Sequence, residues 1–385
     1  MDRIAEIMDN SVKCSEAVGA GCLVFKDGKE LYSHFSGHAD KSKNIPMQRN
    51  TIARLFSLTK PVTAAAAMIC TDMGLISPDD PVSKFFPEYS KLSYLDGDNI
   101  IHCNENLKIS HLLTMTSGIP YANNFNKSVI ASAKLFDEVI SRQDSGKDMT
   151  TQEFCRKAAD IPLMFNMGEK WDYGISADIT GGIIEKASGM KYSDFLKKYI
   201  FSPLGMNDTD FYVPDDKRDR FSALYSWNDG KLVQDYGNYL GLTDYKNPPA
   251  FESGGAGLCS TIDDYAKFAC MLSNRGEFNG RRIISEKSFD YMISPKLSDK
   301  QNTLWDRLKG YNYGCFVRIM TNPEISEIRT GKGEFGWDGW TGTYFCSDAV
   351  TGITVLYFTQ ICGAGTTRQA AEISGIVYDK LVRNI

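Results

Sequence analysis

Apolar residues along this chain recur with two different periods, and the switches between them divide it into a sheet-forming outer part and a helical middle. At the start, Ile4, Ile7 and Met8 share one face of a helix. The stretch "GAGCLVFKDGKELYSHFSG" then reads as a hairpin, an apolar run followed by an Asp27-Gly28 turn and alternating positions. The other end has the same design. "TGTYFCSDAVTGITVLYFTQ" holds two β-rich runs around a turn at Asp348 to Gly352, and Ile373, Val377 and Leu381 then mark a closing helix. Strands and helices at both termini predict one antiparallel sheet assembled from the two ends of the chain.

Between them, helical spacing predicts elements at 57–73, 107–116, 128–142, 151–159, 176–188, 191–200 and 261–275, several closed by a glycine. Residues 205–250 are aromatic without a clear period. The expected architecture is an α/β fold whose antiparallel sheet is flanked by helices and interrupted by a helical insert. Residues 1–60 and 251–385 form the α/β part and 61–250 the insert. A cleft between two such parts is where small-molecule sites tend to lie.

The 385 residues are 42% hydrophobic, enough for a large core, and the net charge of −5 with no basic stripe argues against nucleic acid as a partner. No apolar run reaches the ~18 residues of a membrane span. The first residues lack the basic start and apolar core of a signal peptide, and ten scattered cysteines without a Cys-x-x-Cys pair read as reduced, mostly buried thiols. A cytoplasmic protein is expected. His34 and His38 fall in a strand-like segment, where four residues span about 13 Å, too far to share a metal. We expect no metal and no cofactor.

The chemistry centres on Ser-x-x-Lys, which occurs twice. A serine hydroxyl needs an adjacent base to become a nucleophile, and positions i and i+3 share a helix face. At Ser188 and Lys191 the intervening Gly189 ends a helix and breaks that face, leaving a C-cap serine. At Ser57 and Lys60 the pair falls in a first helical turn, where Pro61 is tolerated and the dipole favours negative charge. The alternative is that Ser57 is a helix cap beside a solvated Lys60. No Gly-x-Ser-x-Gly elbow occurs and only four histidines are present, so a lysine and a tyrosine would have to move the protons. Tyr173, at the head of the 176–188 helix, is one candidate among nineteen tyrosines. The glycines of "FGWDGWTGTYF" offer a strand close enough for main-chain N–H groups to hold an oxyanion, or simply a bulge in an inner strand. "SGGAGLCSTIDDYAKF" is a glycine turn into a capped helix, part of a cleft wall at most.

Taken together and in order, "FSLTKPVTAAAAM", "PDDPVSKFFPEYS", "ISHLLTMTSGIPY", "WDYGISADITGGIIEKASG", "FSPLGMNDTDFYVP", "GGAGLCSTIDDYAKFACML" and "FGWDGWTGTYF" resemble the class C β-lactamase superfamily, and in particular its family VIII carboxylesterases. The resemblance runs from about residue 18 to 380. It implies a β-lactamase/transpeptidase-like fold, with Ser57 as the acylated serine, Lys60 and Tyr173 as its base pair, and the N–H groups of Ser57 and Trp340 as the oxyanion hole. The third motif, Lys-Thr-Gly in lactamases, falls on Trp337-Asp338-Gly339 rather than Arg329-Thr330-Gly331, because Thr341 to Thr343 then continue as the family pattern does. Substrate contacts are accordingly expected from Ile175, Trp337, Asp338 and Gly339.

Two departures stand out. The family's second motif ends in asparagine where this chain has Ile175, and its third motif begins with a lysine that is absent here. An ionised Asp338 about 6 Å from a substrate carboxylate would repel it by roughly 2–3 kcal/mol at an effective dielectric near 20; alternatively Asp338 points away from the cleft and caps a turn. The expected function is a serine hydrolase of carboxylic esters working through a Ser57 acyl-enzyme, with a small-molecule ester or amide as the partner. A β-lactamase, D-aminopeptidase-like amidase or acyltransferase, or a silent ligand-binding homologue, are the alternatives.

Overall fold

The computed structural model describes residues 1–122, 126–242 and 244–384. Its main sheet has eight strands, all antiparallel, drawn from the two ends of the chain. They are β1 (Gly19–Lys26), β2 (Lys29–Asp40), β3 (Ile45–Pro46), β4 (Tyr311–Tyr313), β5 (Arg318–Met320), β6 (Phe335–Asp338), β7 (Tyr344–Ser347) and β8 (Ile353–Phe358). The spatial order is β4-β5-β6-β7-β8-β1-β2-β3, so the last strand pairs with the first, Gly21 opposite Phe358 through Lys26 opposite Ile353. Asp27 (φ 51°) and Gly28 (φ 73°) both take the left-handed conformation that a two-residue hairpin turn requires.

Alternation along β1 sorts its residues between two cores. Ala20, Cys22 and Val24 face a cluster with Ile4 and Met8 of α1 (Asp2–Lys13) and with Ile373 and Val377 of the last helix, Arg368–Tyr378. Leu23 faces the larger core, which holds α2 (Thr59–Asp72), α3 (Ser176–Ser188) and α4 (Ile262–Ser273). The antiparallel sheet flanked by helices is thus the one the sequence predicts.

The middle departs from expectation in places. Residues 107–116 form only the short helix Ile109–Leu113, because Met115 turns left-handed (φ 55°) ahead of Gly118. The helix expected at 191–200 changes pitch after Leu196 and ends at Gly205 (φ 66°). Several hairpins went unpredicted, two of them in the middle of the chain. One pairs Ser93–Asp96 with Asn99–His102, and the other, Leu224–Asn228 with Lys231–Asp235, lies within the stretch read as irregular. The run "FGWDGWTGTYF" is not one strand but a hairpin, with β6 and β7 joined by a turn at 339–343. Among the described residues, no helix is long and apolar enough to cross a membrane.

Candidate active site

Ser57 sits in a single 3-10 turn, Phe56–Leu58, that feeds directly into α2. Phe56 ahead of it has φ 45°, a strained conformation for a bulky residue, held by burial and by an edge-to-face contact with Trp340 at 5.2 Å. Lys60 follows one turn on, so its chain runs back beside Ser57. Its Nζ lies 3.2 Å from Ser57 Oγ, 2.8 Å from Tyr121 OH and 2.9 Å from the Gly255 carbonyl that accepts from it.

Tyr173 closes the other side. Its ring centroid is 4.6 Å from Lys60 Nζ, and its hydroxyl accepts a hydrogen bond from Trp337 Nε1 at 3.1 Å and is hydrogen-bonded to Ser57. Gly174 beside it is a packing requirement: a Cβ there would collide with the Ile119 carbonyl, and the Pro120 and Gly174 backbones pair. That close approach is what sets Tyr121 against Tyr173, ring centroids 5.6 Å apart. Trp171, Trp305, Tyr313 and Trp337 complete an aromatic wall that fixes the Tyr173 ring from behind.

The turn between β6 and β7 is stitched onto the strand before Ser57. Thr341 Oγ1 donates to the Arg54 carbonyl and Thr343 Oγ1 to the Leu55 carbonyl, both at 3.1 Å. Any side chain on Gly339 would strike Leu55. The backbone of Trp340 is thereby held next to the Ser57 turn, and its half-exposed indole joins the wall of a cavity of about 280 Å³. Phe56, Ser57, Tyr121, Ala122, Tyr173, Tyr239, Leu240, Ala256 and Trp340 line this cavity. It lies at the small end of the ~300–1,000 Å³ typical of ligand pockets, and it is mostly apolar.

Burial divides the titratable groups. Lys60 is wholly shielded, and loss of hydration brings its ammonium down to about 7, with the Asp178 and Asp338 carboxylates opposing the fall. Tyr173 moves the other way: burial raises its phenol above the ordinary value, against the pull of its bonds to Ser57 and Trp337. Of the two groups that could accept the serine proton, the lysine is the one tuned toward neutrality.

Ser57, Lys60, Tyr173 and Trp340 are therefore brought together, whereas Ile175, Trp337, Asp338 and Gly339 stand outside the cavity lining. Ile175 is fully buried at the start of α3. Asp338 is buried as well, and it is not an unopposed charge. Arg307 Nη1 donates to its Oδ2 at 2.9 Å, and Thr366 Oγ1 bonds the same oxygen. Asp338 is thus paired with a cation from a distant loop, which corrects the reading of it as a free anion beside the substrate. Tyr121, Tyr239, Leu240 and Asp178 went unassigned from sequence. Asp178 carried a signal, being a charge amid the small and apolar residues of "SADITGGII".

Residues 4–374 match the model of the family described as Beta-lactamase. The chain is 26% identical over 380 residues to the esterase EstB of Burkholderia gladioli, covering 94% of this chain and 91% of that protein. It is also 26% identical over 375 residues to the lovastatin esterase of Penicillium rubens, covering 92% and 89%. Among solved structures, EstCE1, a hydrolase with promiscuous acyltransferase activity, aligns with a TM-score of 0.82 at 22% identity over 98% of both chains. The β-lactamase/transpeptidase-like fold implied by the resemblance is the fold this chain has.

Proposed function

We propose that this chain, a serine hydrolase that belongs to the beta-lactamase family, cleaves short neutral carboxylic esters through an acyl-enzyme on Ser57. One observation carries the reading: Ser57 Oγ opens into an apolar cavity while a wholly buried lysine, brought to about 7, stands 3.2 Å behind it. Ser57 gives its proton to the neutral Lys60 amine as Oγ attacks the ester carbonyl. The N–H groups of Ser57 and Trp340 hold the oxyanion. The leaving alcohol recovers the proton from Lys60 by way of the Tyr173 phenol, and water then releases the acyl group along the same path in reverse. Trp337 Nε1–H donates to the Tyr173 oxygen and holds the phenol beside Ser57.

Ester rather than β-lactam chemistry is supported by the lining. Where the family's second motif supplies an amide to hold a substrate's amide, Ile175 is buried and offers nothing. Two relatives that match most of the chain are named as esterases. The test is a panel of p-nitrophenyl esters of increasing acyl length beside a chromogenic cephalosporin, with intact-mass detection of the acyl-enzyme. Short esters are expected to turn over first. Faster opening of the cephalosporin than of every ester would overturn the assignment.

A further inference from the structure

Asp178 lies in the first turn of α3, five residues after Tyr173 and outside the cavity lining, yet it reaches the reacting lysine through one residue. Its Oδ1 accepts from Ser253 Oγ at 2.5 Å and from the Gly255 N–H at 3.0 Å. The carbonyl of the same Gly255 accepts from Lys60 Nζ at 2.9 Å. Gly255 must be glycine for this to hold. A Cβ there would stand 2.7 Å from Asp178 Oδ2 and 2.9 Å from Tyr121 OH, so the carboxylate and the phenol that contacts Lys60 converge on one Cα.

Asp178 is almost completely buried, and among the described residues no cation lies within ion-pair distance of it. Asp338, the other carboxylate acting on Lys60, differs in being held by Arg307 and Thr366. A buried carboxylate without a direct counter-ion is costly and persists only where hydrogen bonds and a nearby charge offset the lost hydration. Two donors are in place, and the nearby charge is Lys60.

We infer that Asp178 is a positioning residue that acts through Gly255, holding Lys60 Nζ against Ser57 and balancing its positive charge, so that the lysine carries a proton after serine attack and gives it up before the next turnover. The inference rests on the acyl-enzyme reading of Ser57 and Lys60. The groups facing Lys60 are Ser57 on its own turn, Tyr121, Tyr173, Asp178 and Asp338. Each of the two partners opposes the effect of burial on the other: Asp178 works to raise the Lys60 ammonium, and Lys60 works to lower the Asp178 carboxyl, which burial otherwise lifts. Interaction of this kind is mutual, so removing either charge must move the titration of the other.

The test reads titration directly and needs no turnover. Protein labelled with ¹³Cε-lysine is titrated in a Ser57→Ala background, with the Lys60 resonance identified as the one missing from Lys60→Met. Asp178→Asn keeps an oxygen for Ser253 and Gly255 while removing the charge. It is expected to move the Lys60 midpoint down by roughly one pH unit, the scale of one nearby charge. In the Ser57-containing enzyme, the acidic limb of kcat/KM then moves down by the same amount, with a severalfold lower plateau because a weaker base accepts the proton. If Asp178→Asn does not fold, Lys60→Met with ¹³C-labelled aspartate gives the reciprocal reading, an Asp178 carboxyl that titrates at higher pH. An unmoved midpoint in either experiment overturns the inference. A moved midpoint in a protein that cleaves no ester leaves it standing and sinks the ester reading instead.

Discussion

Ser57/Lys60 and Ser188/Lys191 have the same letters at the same spacing and occupy opposite environments. Lys60 is 0% exposed, touches no carboxylate, and stands behind a serine that opens into a cavity. Lys191 is 43% exposed and pairs with Glu252 at 2.5 Å. Ser188 Oγ is turned back onto the Ile184 carbonyl at 2.7 Å, and Gly189 (φ 68°) ends the helix between serine and lysine. Spacing brings a hydroxyl and an amine onto one face only while the helix continues. Whether the amine can serve as a base is then decided by burial, since an ordinary lysine near 10.4 holds its proton at neutral pH.

The largest expected effect separates the two serines. Ser57→Ala abolishes labelling by a fluorophosphonate and lowers ester turnover by at least ~10⁴-fold, whereas Ser188→Ala stays within about twofold of the parent. Intact-mass spectrometry after labelling reads both, and a label retained by Ser57→Ala would end the comparison.

The lysines are expected to trade places between activity and stability. Lys60→Met and Tyr173→Phe each lose about a hundredfold or more in kcat/KM, on the scale of a general base or proton relay. Lys191→Met leaves activity intact and costs about 1–2 kcal/mol, because Glu252 stays buried with its backbone donor from Ser193 but without its cation. Lys60→Met, by contrast, removes a costly buried charge and also the charge that offsets Asp178, so its signature is the pH dependence of stability rather than a fixed gain. The folded Lys60 titrates near 7 and the unfolded one near 10.4, so between these values the unfolded chain binds more protons and the stability of the parent rises with pH. The stability of Lys60→Met relative to the parent is therefore highest below pH 7 and falls toward pH 10. A gap that is flat with pH in paired melting curves would mean that Lys60 is not destabilised by its charge.

A smaller effect comes from the same titration. kcat/KM for a neutral ester rises with pH through about 7 as Lys60 loses its proton. Tyr173, raised by burial, gives no limb in that range. A single acidic limb that survives Tyr173→Phe at much reduced height assigns it to the lysine, and its disappearance would assign it to the pair acting through the phenol.

What could be read in advance follows the reach of each signal. The terminal hairpins and helices are written in local periodicity, and so are Ser57 and Lys60, three residues apart. Tyr121 meets Lys60 across 61 positions and Gly255 across 195, with no local pattern to announce either contact. The two unpredicted hairpins of the middle of the chain have a similar cause: Ile100, Ile101, Trp227 and Val233 are exposed apolar residues that blur the alternation a half-buried strand would show. Asp338 shows the same lack of reach in its charge. The sequence places an anion beside the third motif, but its partner Arg307 lies 31 residues earlier in a short turn, where no spacing rule connects them.

That ion pair sets the smallest expected effect. An unopposed Asp338 would repel an anionic substrate by roughly 2–3 kcal/mol, a loss of about thirtyfold to a hundredfold in kcat/KM. With Arg307 Nη1 at 2.9 Å, with Thr366 on the same oxygen, and with the carboxylate outside the cavity lining, a substrate meets a nearly neutral pair. Asp338→Asn is therefore expected to change the ratio of kcat/KM between a neutral ester and a carboxylate-bearing ester of the same acyl length by less than about threefold. Arg307→Ala uncovers the charge and should widen the ratio severalfold against the anionic ester while leaving the neutral one near its parent value. Because Asp338 also supports the ammonium form of Lys60, Asp338→Asn should shift the acidic limb slightly downward. A tenfold or larger change of ratio in Asp338→Asn would mean that the carboxylate acts on the substrate despite Arg307, and would return selectivity to the third motif. Equal ratios in both variants would place the preference for neutral esters in the apolar lining alone.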